Sequence, residues 1–237
     1  MLWARQATSP TRLDVRPAAA NCGCLDVKLN TERNITIEVK CVKADQMTTK
    51  NYCRCYNKPM LILETNRLRL RRLVPDDLDA LYALYRDPEM RLYFPQEGVS
   101  PDRTLTYEET KEELEWFLNG HPKRPELGLW ATILKETGAF IGRCGLLPWT
   151  IDGQDEVEVA YMIDKAYWGC GYGSEAARGI RDYAFQQLGL TRLICCIDSE
   201  NTGSANVAGA IGMTFEREAV DDLGPFLIYS MTKPGGV

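Results

Sequence analysis

Histidine is almost missing from this chain: one residue, His121, in 237. It follows a helix stop and reads as an exposed loop residue rather than a catalytic base. Long apolar runs are missing too. None approaches the roughly 18 residues that a bilayer-crossing helix needs, so no membrane partner is expected. The first twenty residues carry Arg5, Arg12 and Arg16 but no apolar core, so no secretory signal peptide is assigned. No Gly-Lys-Ser/Thr follows the glycine-rich stretch, which excludes a P-loop. Internal repeats and low-complexity tracts are absent.

What is present suits a globular protein of one main domain. Hydrophobic residues make up 45% and charged residues 26%. Charge is divided unevenly. Residues 1–59 hold ten Lys and Arg against five Asp and Glu, and the remainder holds 18 against 28. The acidic part favours a cationic or amine partner over nucleic acid. It also serves solubility alone. Five of nine cysteines (Cys22, Cys24, Cys41, Cys53 and Cys55) lie in the first 59 residues. Their Cys-x-Cys spacing is tighter than that of structural zinc sites, and five exceed the four ligands required, so no metal is assigned. Adjacent Cys195 and Cys196 sit in an apolar strand pattern and read as reduced, which places the main domain in the cytoplasm.

The character of the chain changes near Met60. Before it only Asn34–Val42 alternates like a strand. Residues 1–59 are therefore expected to be an extension, disordered or an over-extended start, and residues 60–237 the folded domain. From Leu61 the run LILETNRLRLRRL predicts one half-buried strand. Pro75, Asp76 and Asp77 open a helix that Asp87-Pro88 ends. Tyr107–Asn119 predicts a second helix, stopped by Gly120. Three strands follow: Leu129–Leu134, Ala139–Leu147 (broken at Pro148) and Glu156–Ile163. A helix spans Ser174 to Leu188. A strand at Leu193–Ile197, a helix at Thr202–Ile211, and strands at Met213–Glu218 and Phe226–Thr232 complete an α+β mixed sheet.

One junction concentrates the chemistry. Gly169, Gly171 and Gly173 directly precede a helix start. Glycines let backbone approach a ligand closely, and free N–H groups at a helix N-terminus favour an anion such as a pyrophosphate. A tight turn without ligand is the plain alternative. The spacing Gly169-x-Gly171-x-Gly173 departs from the dinucleotide fingerprint, and too little chain follows for a doubly wound domain.

The junction resembles the acetyl-CoA-binding motif Arg/Gln-x-x-Gly-x-Gly/Ala of the GNAT acetyltransferases, with Gly171 and Gly173 at the glycine positions and Trp168 at the first. The string Tyr167-Trp-Gly-Cys-Gly-Tyr-Gly-Ser-Glu-Ala176 is similar to the subfamily that acetylates N-termini of ribosomal proteins. Leu63–Arg71, Glu200–Phe215 and Leu227–Thr232 resemble that family's opening, its Asn-x-x-Ser segment and its last strand.

The resemblance implies a mostly antiparallel sheet flanked by helices, with splayed central strands Glu156–Ile163 and Leu193–Ile197. It implies acetyl-CoA as acetyl donor and a primary amine, on a protein N-terminus or a small molecule, as acceptor. Cofactor contacts would come from Met162, Ile163 and Asp164 on the strand edge. The turn would add Trp168, Gly169, Cys170, Gly171, Tyr172, Gly173 and Ser174, and Asn201 would hold the pantetheine arm unless it caps a helix. Glu158 is the candidate base, with Glu156 its rival by strand parity. Ser204 or Tyr229 would protonate the departing thiolate. Tyr93, Phe94 and Trp116 are candidate acceptor contacts, or core aromatics. A non-catalytic acetyl-CoA-binding sensor and a dinucleotide-binding oxidoreductase are the alternatives.

Overall fold

The computed structural model describes residues 25–26, 40–41, 59–93, 103–221 and 224–235. Within the unit Ala7–Lys58 the description is one antiparallel pairing of Leu25–Asp26 with Lys40–Cys41. The rest of the expected Asn34–Val42 strand, the side chains of the early cysteines, and Phe94 lie outside the described residues.

The main domain is one eight-stranded sheet between helices. The strands are β1 (Leu61–Glu64), β2 (Leu68–Arg72), β3 (Gly128–Leu134), β4 (Phe140–Ile151), β5 (Gln154–Ile163), β6 (Arg192–Ile197), β7 (Thr214–Asp221) and β8 (Gly224–Thr232). Their spatial order is β1-β2-β3-β4-β5-β6-β8-β7. The helices are α1 (Leu78–Tyr85), α2 (Pro88–Arg91), α3 (Tyr107–Phe117), α4 (Tyr172–Gln186) and α5 (Thr202–Ala210). All strand pairs are antiparallel except β5 with β6, which touch in parallel register at a single pair, Glu158 and Ile194. Beyond it the two strands part.

Strand alternation divides the core between the two faces. Leu68, Leu70, Trp130, Val157, Val159 and Ile163 pack with Ala176, Ile180 and Ala184 of α4 and Ala208 of α5. Leu129, Ala131, Ile133, Ala160 and Met162 pack on the other face with Leu81, Leu84 and Tyr85 of α1 and Leu114 and Phe117 of α3. Cys195 joins the first face and Cys196 the opposite side, as their adjacency requires.

Three departures from the sequence reading have physical causes. The opening strand is a hairpin, because Thr65 turns the chain: its N–H donates to Leu68 O at 2.9 Å, and its hydroxyl accepts from Leu68 N at 3.0 Å. Pro88 begins a helical turn as well as ending α1, since Asp87 caps it by accepting from Glu89 N at 2.9 Å. Pro148 does not break β4. The pairing of β4 with β3 ends at Leu146 opposite Gly128, so the side to which a residue 148 N–H would point has no acceptor to lose.

Candidate active site

Where β5 and β6 diverge, a cleft of about 650 Å³ opens. The end of β5, the glycine turn, the first turn of α4 and the N-terminus of α5 line it, with Glu89, Met90 and Tyr93 on its far wall. Gly169 and Gly171 have φ of 75° and 77°, left-handed values that glycine reaches without cost. A side chain at Gly169 would meet nothing within 4 Å, so conformation rather than packing demands glycine there. Gly171 is the N-cap of α4, which leaves the helix's first N–H groups at the cleft wall.

Most of the expected cofactor residues meet here. Met162, Ile163, Trp168, Gly169, Gly171, Tyr172, Gly173, Ser174 and Asn201 all line the cleft, and so does Ser204, the expected acid. Asp164 and Cys170 do not. The Asp164 carboxylate accepts from Ala166 N at 2.9 Å, capping a short 3-10 turn, and the Cys170 carbonyl turns outward to Arg67.

Backbone register refines the strand edge. Asp164 N donates to Ile141 O at 2.8 Å. Alternation in an antiparallel ladder then directs the polar groups of Asp164 and Met162 to β4, and those of Tyr161 and Ile163 to the cleft. The Ile163 carbonyl is taken by the Trp168 indole, which donates at 2.6 Å. The N–H groups of Tyr161 and Ile163 remain directed at the cleft.

At the narrow end a second cavity of about 20 Å³, room for about one water, shares Tyr93, Tyr161, Asn201 and Ser204 with the cleft. Glu158 lines it and is only 2% exposed. Its Oε2 accepts from the Trp149 indole at 2.8 Å and its Oε1 from Cys196 N at 3.3 Å. Both donors favour the carboxylate, but burial outweighs them and pushes the carboxyl up to about 7. The rival Glu156 is instead held by Arg192, whose Nε donates at 3.0 Å.

Asn201 does cap α5, accepting from Ser204 N at 2.9 Å, while also lining the cleft. Its Nδ2 has no partner among the described residues. The Tyr161 hydroxyl donates to Ser204 O at 2.8 Å, which commits that proton and leaves the Ser204 hydroxyl the less engaged group. Tyr229 is not brought to the cleft. It lies in β8 opposite Cys195, with its ring 5.9 Å from Phe215. Trp116 packs on the α1/α3 core, 6.4 Å from His121. His121 is buried at 6% exposure, not an exposed loop residue, and burial holds its pKa below the ordinary value.

Sequence reasoning passed over Trp149, which binds Glu158 from the neighbouring strand, and the role of Tyr161, for which strand parity gives the face but not the contact with Ser204. It also passed over Arg67 and Glu175, the second of which stands within the glycine-turn motif.

A splayed parallel pair beside a glycine turn and a buried carboxylate define an acyl-transfer enzyme of the acetyltransferase class. The acetyltransferase (GNAT) domain profile matches residues 67–214, and the chain belongs to that family. It is 34% identical over 156 residues to the uncharacterized protein YkkB of Bacillus subtilis (strain 168), covering 65% of this chain and 86% of the relative. It is 29% identical over 162 residues to the uncharacterized N-acetyltransferase p20 of Bacillus licheniformis, covering 68% and 85%. Its fold matches the solved ribosomal L7/L12 alpha-N-protein acetyltransferase in complex with coenzyme A, with a TM-score of 0.59 and 15% identity over 73% of this chain and 97% of that one. Among the described residues no helix is long and apolar enough to cross a membrane.

Proposed function

We propose that this protein transfers an acetyl group from acetyl-CoA to a primary amine by direct attack, with the acceptor a protein N-terminus or a small molecule. The observation that carries the reading is the position of Glu158. A carboxyl with a pKa near 7 stands at the narrow end of a cleft that begins at an anion-binding turn. Supporting it are the family and the coenzyme A complex of a structural neighbour. A dinucleotide-binding oxidoreductase draws no support from a sheet that is antiparallel but for one contact.

The residues divide the work by face. Strand parity puts Glu158 on the α1/α3 side and Tyr161 on the α4/α5 side. The turn and the N-terminus of α4 bind the donor's phosphates through N–H groups. The Tyr161 and Ile163 N–H groups pair with the pantetheine arm and polarise the thioester carbonyl. Glu158 accepts the amine proton, through one water in the small cavity. Ser204 donates a hydrogen bond to the leaving thiolate, and the thiolate's proton comes from solvent, to which Glu158 returns the one taken from the amine. No covalent enzyme intermediate is required, and the buried Cys195 thiol, which burial pushes well up, is unsuited to form one.

Calorimetric titration of acetyl-CoA into the full chain, with NAD in parallel, tests the cofactor. Micromolar binding of acetyl-CoA alone is expected, and binding of NAD alone would overturn the reading. Turnover with an N-terminal peptide or a polyamine then separates enzyme from sensor.

A further inference from the structure

We infer that Arg67 and Glu175 are positioning residues that hold the glycine turn in its phosphate-binding shape. The inference rests on the acetyl-CoA reading and deepens it.

Glu175, in the first turn of α4, receives three donors from the β1–β2 turn. Its Oε1 accepts from Thr65 Oγ1 at 2.6 Å and Arg67 N at 2.7 Å, and its Oε2 from Arg67 Nε at 2.6 Å. Burial raises its pKa, but these donors outweigh that and hold it below the usual carboxylate range, so it is charged at neutral pH. The guanidinium so anchored lies 4.3 Å over the Tyr172 ring, and its Nη1 donates to the Cys170 carbonyl at 3.0 Å. It therefore grips the chain on both sides of Gly171.

The consequence follows from peptide geometry. In a trans peptide unit the C=O and the next N–H point in opposite directions. Arg67 holds the Cys170 oxygen away from the cleft, so the Gly171 N–H of the same unit is turned toward it. Side-chain packing on the glycines themselves adds little. A Cβ on Gly169 would meet no atom within 4 Å, and one on Gly171 would meet only Arg67 Nη2, at 3.6 Å. A turn with two left-handed glycines has many conformations to lose, and the ion pair restricts them before any ligand arrives. Trp168, standing where the motif usually has Arg or Gln, brings no charge to the turn; Arg67 brings one from about a hundred residues away.

A latch that orients phosphate-binding groups must discriminate between donors. Steady-state kinetics would compare wild type, Arg67→Met and Arg67→Lys, each with acetyl-CoA and with S-acetylpantetheine, which lacks the pyrophosphate. Arg67→Met should raise the KM for acetyl-CoA about tenfold with kcat little changed. It should leave the S-acetylpantetheine parameters as in wild type, and Arg67→Lys should restore part of the loss. Equal damage with both donors would mean a purely structural contact and overturn the inference. So would no damage with either donor in a protein that wild-type controls show to be active. A wild type that neither binds nor uses acetyl-CoA would instead sink the acetyltransferase reading itself.

Discussion

The indole of Trp149 on β4 donates to Glu158 on β5 at 2.8 Å, and Glu158 also lines a cavity with room for about one water. This contact and the Cys196 amide hold the carboxylate in place, while burial raises its pKa to about 7. A base must be deprotonated to work. The rate is therefore expected to be half-maximal near pH 7, to approach its full value about one unit above, and to fall as pH drops through 7. A pH profile of kcat/KM measures it, and an acid limb near the ordinary carboxylate value would remove Glu158 from the role.

Trp149→Phe keeps the ring and deletes the donor. Loss of a hydrogen bond that favours the charged form raises the pKa. The acid limb should move up by about half a unit to one unit, so activity at pH 7 drops severalfold and recovers near pH 8.5. A uniform loss at every pH would indicate a packing lesion instead.

Glu158→Gln removes the base and retains the shape. Turnover should fall about 100-fold or more at neutral pH, within the usual range for general-base loss. Affinity for acetyl-CoA, read by calorimetry, should stay within about twofold. An active variant would leave the amine's proton to water or to another group.

Charge at the turn can be separated from shape with two substitutions. Asn and Asp both tolerate left-handed backbone, so each should fold at Gly171, where φ is 77°. Gly171→Asp should weaken acetyl-CoA binding at least tenfold by repelling the phosphates, and Gly171→Asn much less. Equal affinities for the two would argue that no phosphate lies there.

Much of the domain was legible in the sequence because its elements carry strong punctuation. Gly120 ends α3 and Asn201 caps α5. The alternation of Val157, Val159 and Ile163 marks β5 and puts these three on one face, where the structure has them, while Ala160 and Met162 are buried on the other. The first hairpin was read as one strand, because Thr65-Asn66-Arg67 lacks glycine and its turn rests on a threonine hydroxyl. His121 and Tyr229 illustrate a different limit. His121 is buried although a helix stop precedes it, with Trp116 of that helix 6.4 Å away, and the place of Tyr229 is set by pairing with Cys195 on another strand. The site was legible as a motif, at the glycine turn, and illegible as a constellation. Trp149 and Arg67 act on residues that only the sheet brings near.

A stability test probes the sheet beneath the cleft. A Cβ at Gly145 would lie 2.0 Å from the Gly128 carbonyl oxygen on β3, an overlap that backbone cannot relieve without moving strands. Gly145→Ala should cost about 1–3 kcal/mol, the usual range for overpacking, seen as a lower thermal midpoint. An unchanged midpoint would mean that the β3–β4 pairing yields locally.

The single ladder pair between β5 and β6 bears on the order of events in catalysis. The small cavity beside Glu158 adjoins the cleft at Tyr93, Tyr161, Asn201 and Ser204, which line both. Direct attack with no covalent enzyme intermediate requires the donor and the amine of the proposed reaction to be bound together. Neither partner needs to leave before the other arrives. Initial-rate plots for the proposed reaction should intersect rather than run parallel, and product CoA should be able to depart while a spent acceptor is still bound.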